Sequence, residues 1–339
     1  FFFTNHPQNY DAWWGLRDMP IFDHRSLELR RRLYDGPDSV VARWLGPHAL
    51  DAWRIDVANM TGIHGDINLS HEVATTIRRT MAQTVAESFL QAESNHDTSR
   101  DLLGDGYQGT MNYAAFTRPL WQWLLPPQAR PYVHGKYPML PNLPGPLVVA
   151  AMRDLSGVTP WQGTLHAMNL IGSHDTHRIA SLLGDPGLVD VAFGLLAAYP
   201  GVPMIYAGDE IGLATMGPEY ARIPMPWAHP ERWDERRLAL TRALFTTRRD
   251  SDALRRGGLR WLAVGDDALT FLRESPAETI LVHATRANHL PVRLPAAVVG
   301  AEWEGLAGSA DLRAGADGLV TLPAHGPAFG MWRLAGIDE

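Results

Sequence analysis

Short apolar runs alternate along this chain with helical stretches, and an acidic residue stands at the far end of four of them. The runs are residues 52–57, 89–92, 109–113, 167–172 and 203–207. Asp56, Glu93, Asp175 and the pair Asp209-Glu210 follow the first, second, fourth and fifth. Helical stretches are predicted over 26–45, 147–155, 188–198 and 232–249. Another starts at Ser70 as N-cap, with Val73, Ile77, Met81 and Val85 four apart on one face. Strands separated by whole helices cannot pair as hairpins, so the alternation predicts repeated βα units and a parallel sheet. The Pro-rich stretch 126–146 reads as loop. Beyond residue 256 short runs at 261–264, 279–282, 291–294 and 318–321 are divided by Gly, Asp and Pro, the pattern of a small antiparallel domain.

Acidic groups at the C-terminal ends of several parallel strands are what a TIM barrel needs, because its site is built from the loops that follow each strand. A single such Asp is more often a helix cap or turn residue. Four in register point to chemistry. The chain has 339 residues, more than one domain commonly holds, and 45% of them are hydrophobic, enough for a sizeable core. The net charge is 30 − 37 = −7, spread along the chain. That argues against nucleic acid or anionic membrane as partner, since both reward clustered Lys and Arg. No apolar stretch reaches the ~18 residues of a membrane span. The twelve Trp suit either sugar stacking or core filling. Absence of Cys excludes disulfides and thiolate metal sites and fits the cytoplasm, the expected location. The chain opens on Phe1-Phe2-Phe3 rather than Met, so its natural N-terminus is expected to be missing and a lost leader stays open.

Three motifs carry a family resemblance. Asp51-Ala52-Trp53-Arg54-Ile55-Asp56-Val57-Ala58-Asn59 resembles the nucleophile segment of the α-amylase family of glycoside hydrolases, in which an aromatic precedes Arg-x-Asp. Residues 171–178, Ile-Gly-Ser-His-Asp-Thr-His-Arg, resemble its His-Asp motif on the seventh strand. Residues 201–212 resemble the segment on its eighth strand, and Arg222-Ile223-Pro224-Met225-Pro226-Trp227 follows as in many members. The resemblance implies a (β/α)8 TIM barrel of which only strands four to eight are present, followed by a small antiparallel β-sandwich domain. It divides the chain into a remnant of the loop domain inserted after strand three (1–24), the C-terminal part of the barrel (25–255) and the β-sandwich (256–339). Within residues 13–23, Met19-Pro20 matches the neopullulanase and cyclomaltodextrinase pattern, whereas the next three positions differ.

The implied reaction is retaining hydrolysis of α-glucosidic bonds in maltodextrins, cyclodextrins or related α-glucans. Such enzymes hold two carboxylates ~5–5.5 Å apart, one as nucleophile and one as acid then base. By resemblance Asp56 is the nucleophile and Asp175 stabilises the transition state through sugar hydroxyls. Arg54 lies two residues before Asp56, on the same face of its strand, and is expected to pair with it. Glu93 is the acid/base, although the family's usual Gly-Glu reads Ala92-Glu93 here; Glu87, its rival, lies near the end of the preceding helix. His174 and Arg178 are the further sugar-binding candidates, and Asn112 and Tyr113 either reach the sugar or pack. No metal ligand set is assigned and no cofactor is required. Calcium is possible, but the third-strand Asp-x-x-x-Asn-His region that often binds it is absent. A transglycosylase using the same carboxylates and an inactive carbohydrate-binding remnant are the alternatives. The oligomeric state is not legible.

Other signals are weaker. The glycines of residues 104–109 fit G-x-G-x-x-G, but a strand-like run follows where a dinucleotide site needs a helix. His71-Glu72 lacks a second His at Thr75. Asn5-His6 lacks a strand before it, and Arg30-Arg31-Arg32 reads as a solvated helix face.

Overall fold

A computed structural model describes residues 1–46, 48, 50–132 and 136–335. They fall into two compact units, one made of Phe1–Met111 with Val158–Ala167, the other of Asn112–Gly157 with the chain from Met168 onward.

In the first unit the predicted helix 26–45 is two helices, α1 (Leu27–Leu33) and α2 (Val40–Leu45). Gly36, at φ +92°, and Pro37 break the stretch. Each helix is capped by a serine: Ser26 Oγ accepts from the Leu29 N–H and Ser39 Oγ from the Ala42 N–H. Strands β1 (Ala52–Ile55), β2 (Phe89–Ala92) and β3 (Gly109–Thr110) form a parallel sheet in that order. Arg54 lies opposite Gln91 and Ile55 opposite Ala92. Helix α3 (Ser70–Thr84) makes the crossover between β1 and β2. It buries Val73, Ile77 and Met81 against Leu45, Leu90 and Tyr107, the face that the four-residue spacing predicts. Ser70 is the first helical residue rather than the cap. Asn68 Oδ1 already takes the Ser70 N–H and hydroxyl in a local turn. Gly109 is required where it stands, because a Cβ there would lie 2.4 Å from the His166 carbonyl oxygen.

The predicted strand 109–113 ends early. Beyond Thr110 the chain turns into a π-helical segment, Tyr113–Thr117, in the second unit. There β4 (Met168–Leu170) pairs in parallel with β5 (Val202–Met204), joined by helix α4 (Pro186–Ala198). Nine residues of α4 are buried, among them Val191, Phe193, Leu195 and Leu196; apart from Asp190, which pairs with Arg236 and Arg237, the helix is apolar and sits inside the core. Helix α5 (Glu235–Asp250) is capped by Asp234, which accepts the Arg237 N–H.

The C-terminal part holds more strands than the sequence signals. Strands β6 (Gly258–Val264), β7 (Ala268–Glu274), β8 (Thr279–Thr285), β10 (Glu302–Leu306), β11 (Leu312–Arg313) and β13 (Ala328–Leu334) form an antiparallel sheet ordered β6-β7-β8-β13-β10-β11. Strands β9 (Arg293–Pro295) and β12 (Leu319–Thr321) pair separately. Helix α4 lies against this sheet: a Cβ on Gly194 would meet the Phe329 ring at 2.2 Å.

Two buried arginines finish α4. Arg248 donates to the carbonyls of Ala197, Tyr199 and Gly201. Arg273, on β7, donates to Ala198, Gly257 and Gly258. Together they satisfy carbonyls that a helix end leaves without partners and place positive charge at its negative pole. Arg273→Met keeps the length of the side chain but orphans three acceptors, each worth about 1–3 kcal/mol when buried. A loss of at least about 3 kcal/mol is expected in chemical denaturation. An unchanged midpoint contradicts the capping role.

Candidate active site

In the first unit the carboxylates are organised by Arg54. Its alternation with Asp56 along β1 puts both side chains on one face of the sheet. The parallel register then brings Glu93, the residue after β2, level with Asp56. The Glu93 N–H donates to the Ile55 carbonyl (2.9 Å) and the Ala58 N–H to the Glu93 carbonyl (2.9 Å), which continues the pairing past the strand ends. One guanidinium then holds both acids: Arg54 Nη1 is 2.8 Å from Asp56 Oδ1 and Nη2 is 2.7 Å from Glu93 Oε1. The second Glu93 oxygen accepts the Val57 N–H at 2.8 Å. Val57 has φ +43°, a region that β-branched residues avoid. The strained turn aims its N–H at the carboxylate.

The two acids differ in exposure. The Asp56 side chain is 75% exposed, that of Glu93 only 7%. Asp56 and Arg54 border a cavity of about 690 Å³, walled also by Trp13, Met19, Trp53 and Met60. Glu87 is exposed and precedes β2, at the opposite end of the strand from Asp56, so of the two rivals Glu93 is the one that joins the cluster.

In the second unit the turn after β4 carries His174 and Asp175. Ser173 Oγ accepts from both the Tyr113 hydroxyl (2.8 Å) and the Asp175 N–H (3.1 Å), and Thr176 Oγ1 accepts the Ser173 N–H. Tyr113 therefore supports this turn through Ser173. Asp175 is flanked by two bases: Arg222 Nη2 donates to its Oδ1 at 2.9 Å, and His174 Nε2 is 3.3 Å from its Oδ2. Arg222 Nε also donates to the His174 carbonyl. Arg222 opens a sequence motif, yet nothing in that motif points to Asp175. The contact spans 47 residues, so only the fold reveals it.

Three expectations are corrected. Arg178 is turned into the protein rather than towards a ligand. It is 2% exposed, lies over the Tyr206 ring and donates to Asp209 and to the carbonyls of Ala207 and Ala221. Asp209 is buried on Arg178 instead of joining the open carboxylates, and Glu210 accepts the Gly208 N–H. Asn112 takes the packing alternative: its amide donates to Asn169 and its oxygen accepts the Ala115 N–H as the cap of the π-helical turn.

Carboxylate pairs at the mouths of parallel strands are the equipment of glycoside hydrolase catalytic domains. Within that class the chain belongs to the α-amylase family: the family described as "Alpha amylase, catalytic domain" matches residues 3–261. Among characterised relatives, a cyclomaltodextrinase of Geobacillus thermopakistaniensis (strain MAS1) is 27% identical over 283 residues, covering 83% of this chain and 43% of its own length. A neopullulanase 2 of Thermoactinomyces vulgaris is 29% identical over 214 residues, covering 63% of this chain and 32% of its own. The solved debranching enzyme of Nostoc punctiforme superposes with a TM-score of 0.80 at 25% identity, over 97% of this chain and 67% of that one. A solved protein of Thermus thermophilus, Ttha1563, gives 0.82 at 23% identity, over 99% and 70%. The chain thus spans less than half the length of these two curated relatives. Among the described residues no helix is long and apolar enough to cross a membrane.

The Arg178–Asp209 pair generates a pH test. Burial is the largest influence on Asp209 and pushes its carboxyl from 3.8 up to about 7, against the pull of Arg178. The folded chain then holds a proton that the unfolded chain has released, so this group's contribution to stability declines as pH rises from about 4 and is gone above about 7. Asp209→Asn removes the titration. Across pH 5–8 the stability of the wild type relative to this variant is expected to fall, as followed by thermal unfolding. A constant difference contradicts the assignment.

Proposed function

We propose that the chain carries the catalytic carboxylates of a retaining glycoside hydrolase that cleaves α-glucosidic bonds in maltodextrins, cyclodextrins or related α-glucans. On this reading β1 to β5 are strands four to eight of a (β/α)8 barrel, and the strands from β6 onward are the β-sandwich after it. The observation that carries the proposal is the Arg54 clasp: one guanidinium engages both Asp56 and Glu93, which keeps the two carboxylates side by side at the strand ends and supports their use as a pair.

The open carboxylate of Asp56 suits the nucleophile. Its oxygen forms a bond to the anomeric carbon as the bond to the leaving glycosidic oxygen breaks. Glu93 is the group that passes a proton to that oxygen. In the second step Glu93 takes a proton from water, the hydroxide oxygen bonds to the anomeric carbon, and Asp56 leaves. Asp175 has oxygens suited to sugar hydroxyls, and contacts that strengthen in the oxocarbenium-like transition state lower the barrier. His174 contacts the same sugar. Tyr113, Arg178 and Arg222 act as positioning residues for this turn. No cofactor takes part, and a calcium ion would be structural. The relatives' names support the substrate class: cyclomaltodextrinase, neopullulanase and an intracellular maltogenic amylase of Bacillus subtilis. The last also supports a cytoplasmic location.

The test is release of reducing sugar from maltotriose, cyclodextrin and pullulan by the chain and its Asp56→Asn variant. Loss of the nucleophile is expected to lower kcat by at least ~10³-fold, as removal of a covalent catalyst commonly does. Equal rates in the two proteins overturn the proposal. EDTA is expected to leave the wild-type rate unchanged.

A further inference from the structure

The guanidinium of Arg54 has a third engaged edge. While Nη1 and Nη2 hold Asp56 and Glu93, the Nε–H donates to Met111 Sδ at 3.3 Å. A thioether sulfur is a weak, neutral acceptor. Met111 is 3% exposed, and a buried methionine ordinarily fills a gap in a core. Gap filling alone does not require its sulfur to lie on a donor.

The sheet explains how the three anchors meet. Ile55, Ala92 and Thr110 lie level across β1, β2 and β3. Asp56, Glu93 and Met111 are the next residues along the three strands, so they leave the sheet at one height. The Glu93 N–H donates to the Ile55 carbonyl and the Met111 N–H to the Ala92 carbonyl, both at 2.9 Å, so the pairing continues past the strand ends on both sides of Glu93. The two-residue period of a strand then puts the Met111 side chain on the face that Arg54 occupies. Three adjacent parallel strands thus each deliver one acceptor to one guanidinium.

Three acceptors do what two cannot. With partners at Nη1 and Nη2 alone, the planar group can tilt about the line joining those nitrogens. A contact at Nε, which lies off that line, blocks the tilt. The kind of acceptor matters as well. A carboxylate at position 111 would compete with Asp56 and Glu93 for a single positive charge, and an aliphatic side chain would leave a partly buried N–H without a partner. Sulfur satisfies the donor and adds no charge.

We propose that Met111 is a positioning residue: its sulfur orients Arg54, and through Arg54 it sets the placing of Asp56 and Glu93. The effect on turnover rests on the hydrolase reading above, whereas the orientation of Arg54 does not.

The experiment compares the wild-type chain with Met111→Leu, which is close in volume but has no acceptor, and Met111→Gln, which supplies an amide oxygen at similar reach. Cores tolerate an exchange of Met for Leu well, and thermal unfolding verifies that each variant folds. Proton–nitrogen NMR resolves the Arg54 Nε–H, assigned by its loss in Arg54→Lys, and reports its exchange with water. Exchange is expected to be about tenfold faster in Met111→Leu, the worth of one hydrogen bond from a charged group, and to return towards the wild-type rate in Met111→Gln. Sugar release from maltotriose follows the same order: kcat falls about tenfold in Met111→Leu with KM nearly unchanged, and recovers in Met111→Gln. Exchange that is unchanged in Met111→Leu, or equally fast in both variants, overturns the proposal, because a packing role does not depend on an acceptor. Faster exchange with undiminished kcat overturns it too. Failure of the hydrolase reading shows separately, as sugar release that Asp56→Asn does not diminish while the exchange rates keep the expected order.

Discussion

Everything in the first unit's charged cluster depends on Arg54. A guanidinium is planar and presents its donors as a rigid fork, so two carboxylates bound to its two ends are fixed relative to each other as well as to the strand. The requirement reaches back into the sheet. Arg54 must share a face with Asp56, which the two-residue period of a strand provides, and Glu93 must arrive at the same level on the neighbouring strand, which the parallel register provides. A one-residue slip of β2 against β1 would turn Glu93 to the other face. The backbone of Val57 adds a second constraint on Glu93. Its positive φ costs about 1–3 kcal/mol in a β-branched residue, and the conformation delivers an N–H to the oxygen that Arg54 does not hold.

The second unit fixes its acidic residue by a different device. Asp175 sits in a loop, where backbone mobility is the default. Here the loop is tied at several points: Ser173 is held by Tyr113, and Arg178 is buried between Asp209 and the carbonyls that follow β5. Arg178 and Arg222 belong to the two ends of one arrangement. The first anchors the 173–178 turn to the chain around Tyr206 and Ala221, and the second, next to Ala221, reaches back to Asp175 and the His174 carbonyl. Helix α4 and its arginine caps supply the rigid base, since β4 and β5 are the strands it connects.

Much of this is legible in the amino-acid sequence because it rests on local pattern. All five parallel strands lie where short apolar runs predict them, and the apolar face of α3 follows from its spacing. The clustering of Arg54, Asp56 and Glu93 follows from alternation and strand order. What stays hidden depends on partners distant in sequence or on charges placed against type. The run 26–45 looks continuous because helical periodicity survives across Gly36-Pro37. Near the end of strand β7 stands Arg273, a residue expected outside; it is inside because α4 ends beside it. Asp209 reads as another strand-end acid, whereas in the fold it is the buried partner of Arg178, itself expected at the sugar. The reach of Arg222 to Asp175 is a product of loop conformation, which composition does not encode.

The central proposal is that Asp56 and Glu93, joined through Arg54, act as a retaining pair, and the configuration of the newly released sugar tests it most directly. Proton NMR, started immediately after the chain is mixed with a maltooligosaccharide, resolves the two anomers before they equilibrate. The account predicts that the α-anomer appears first, because two displacements at the anomeric carbon restore its configuration. First appearance of the β-anomer would mean a single displacement by water and would contradict the roles given to Asp56 and Glu93.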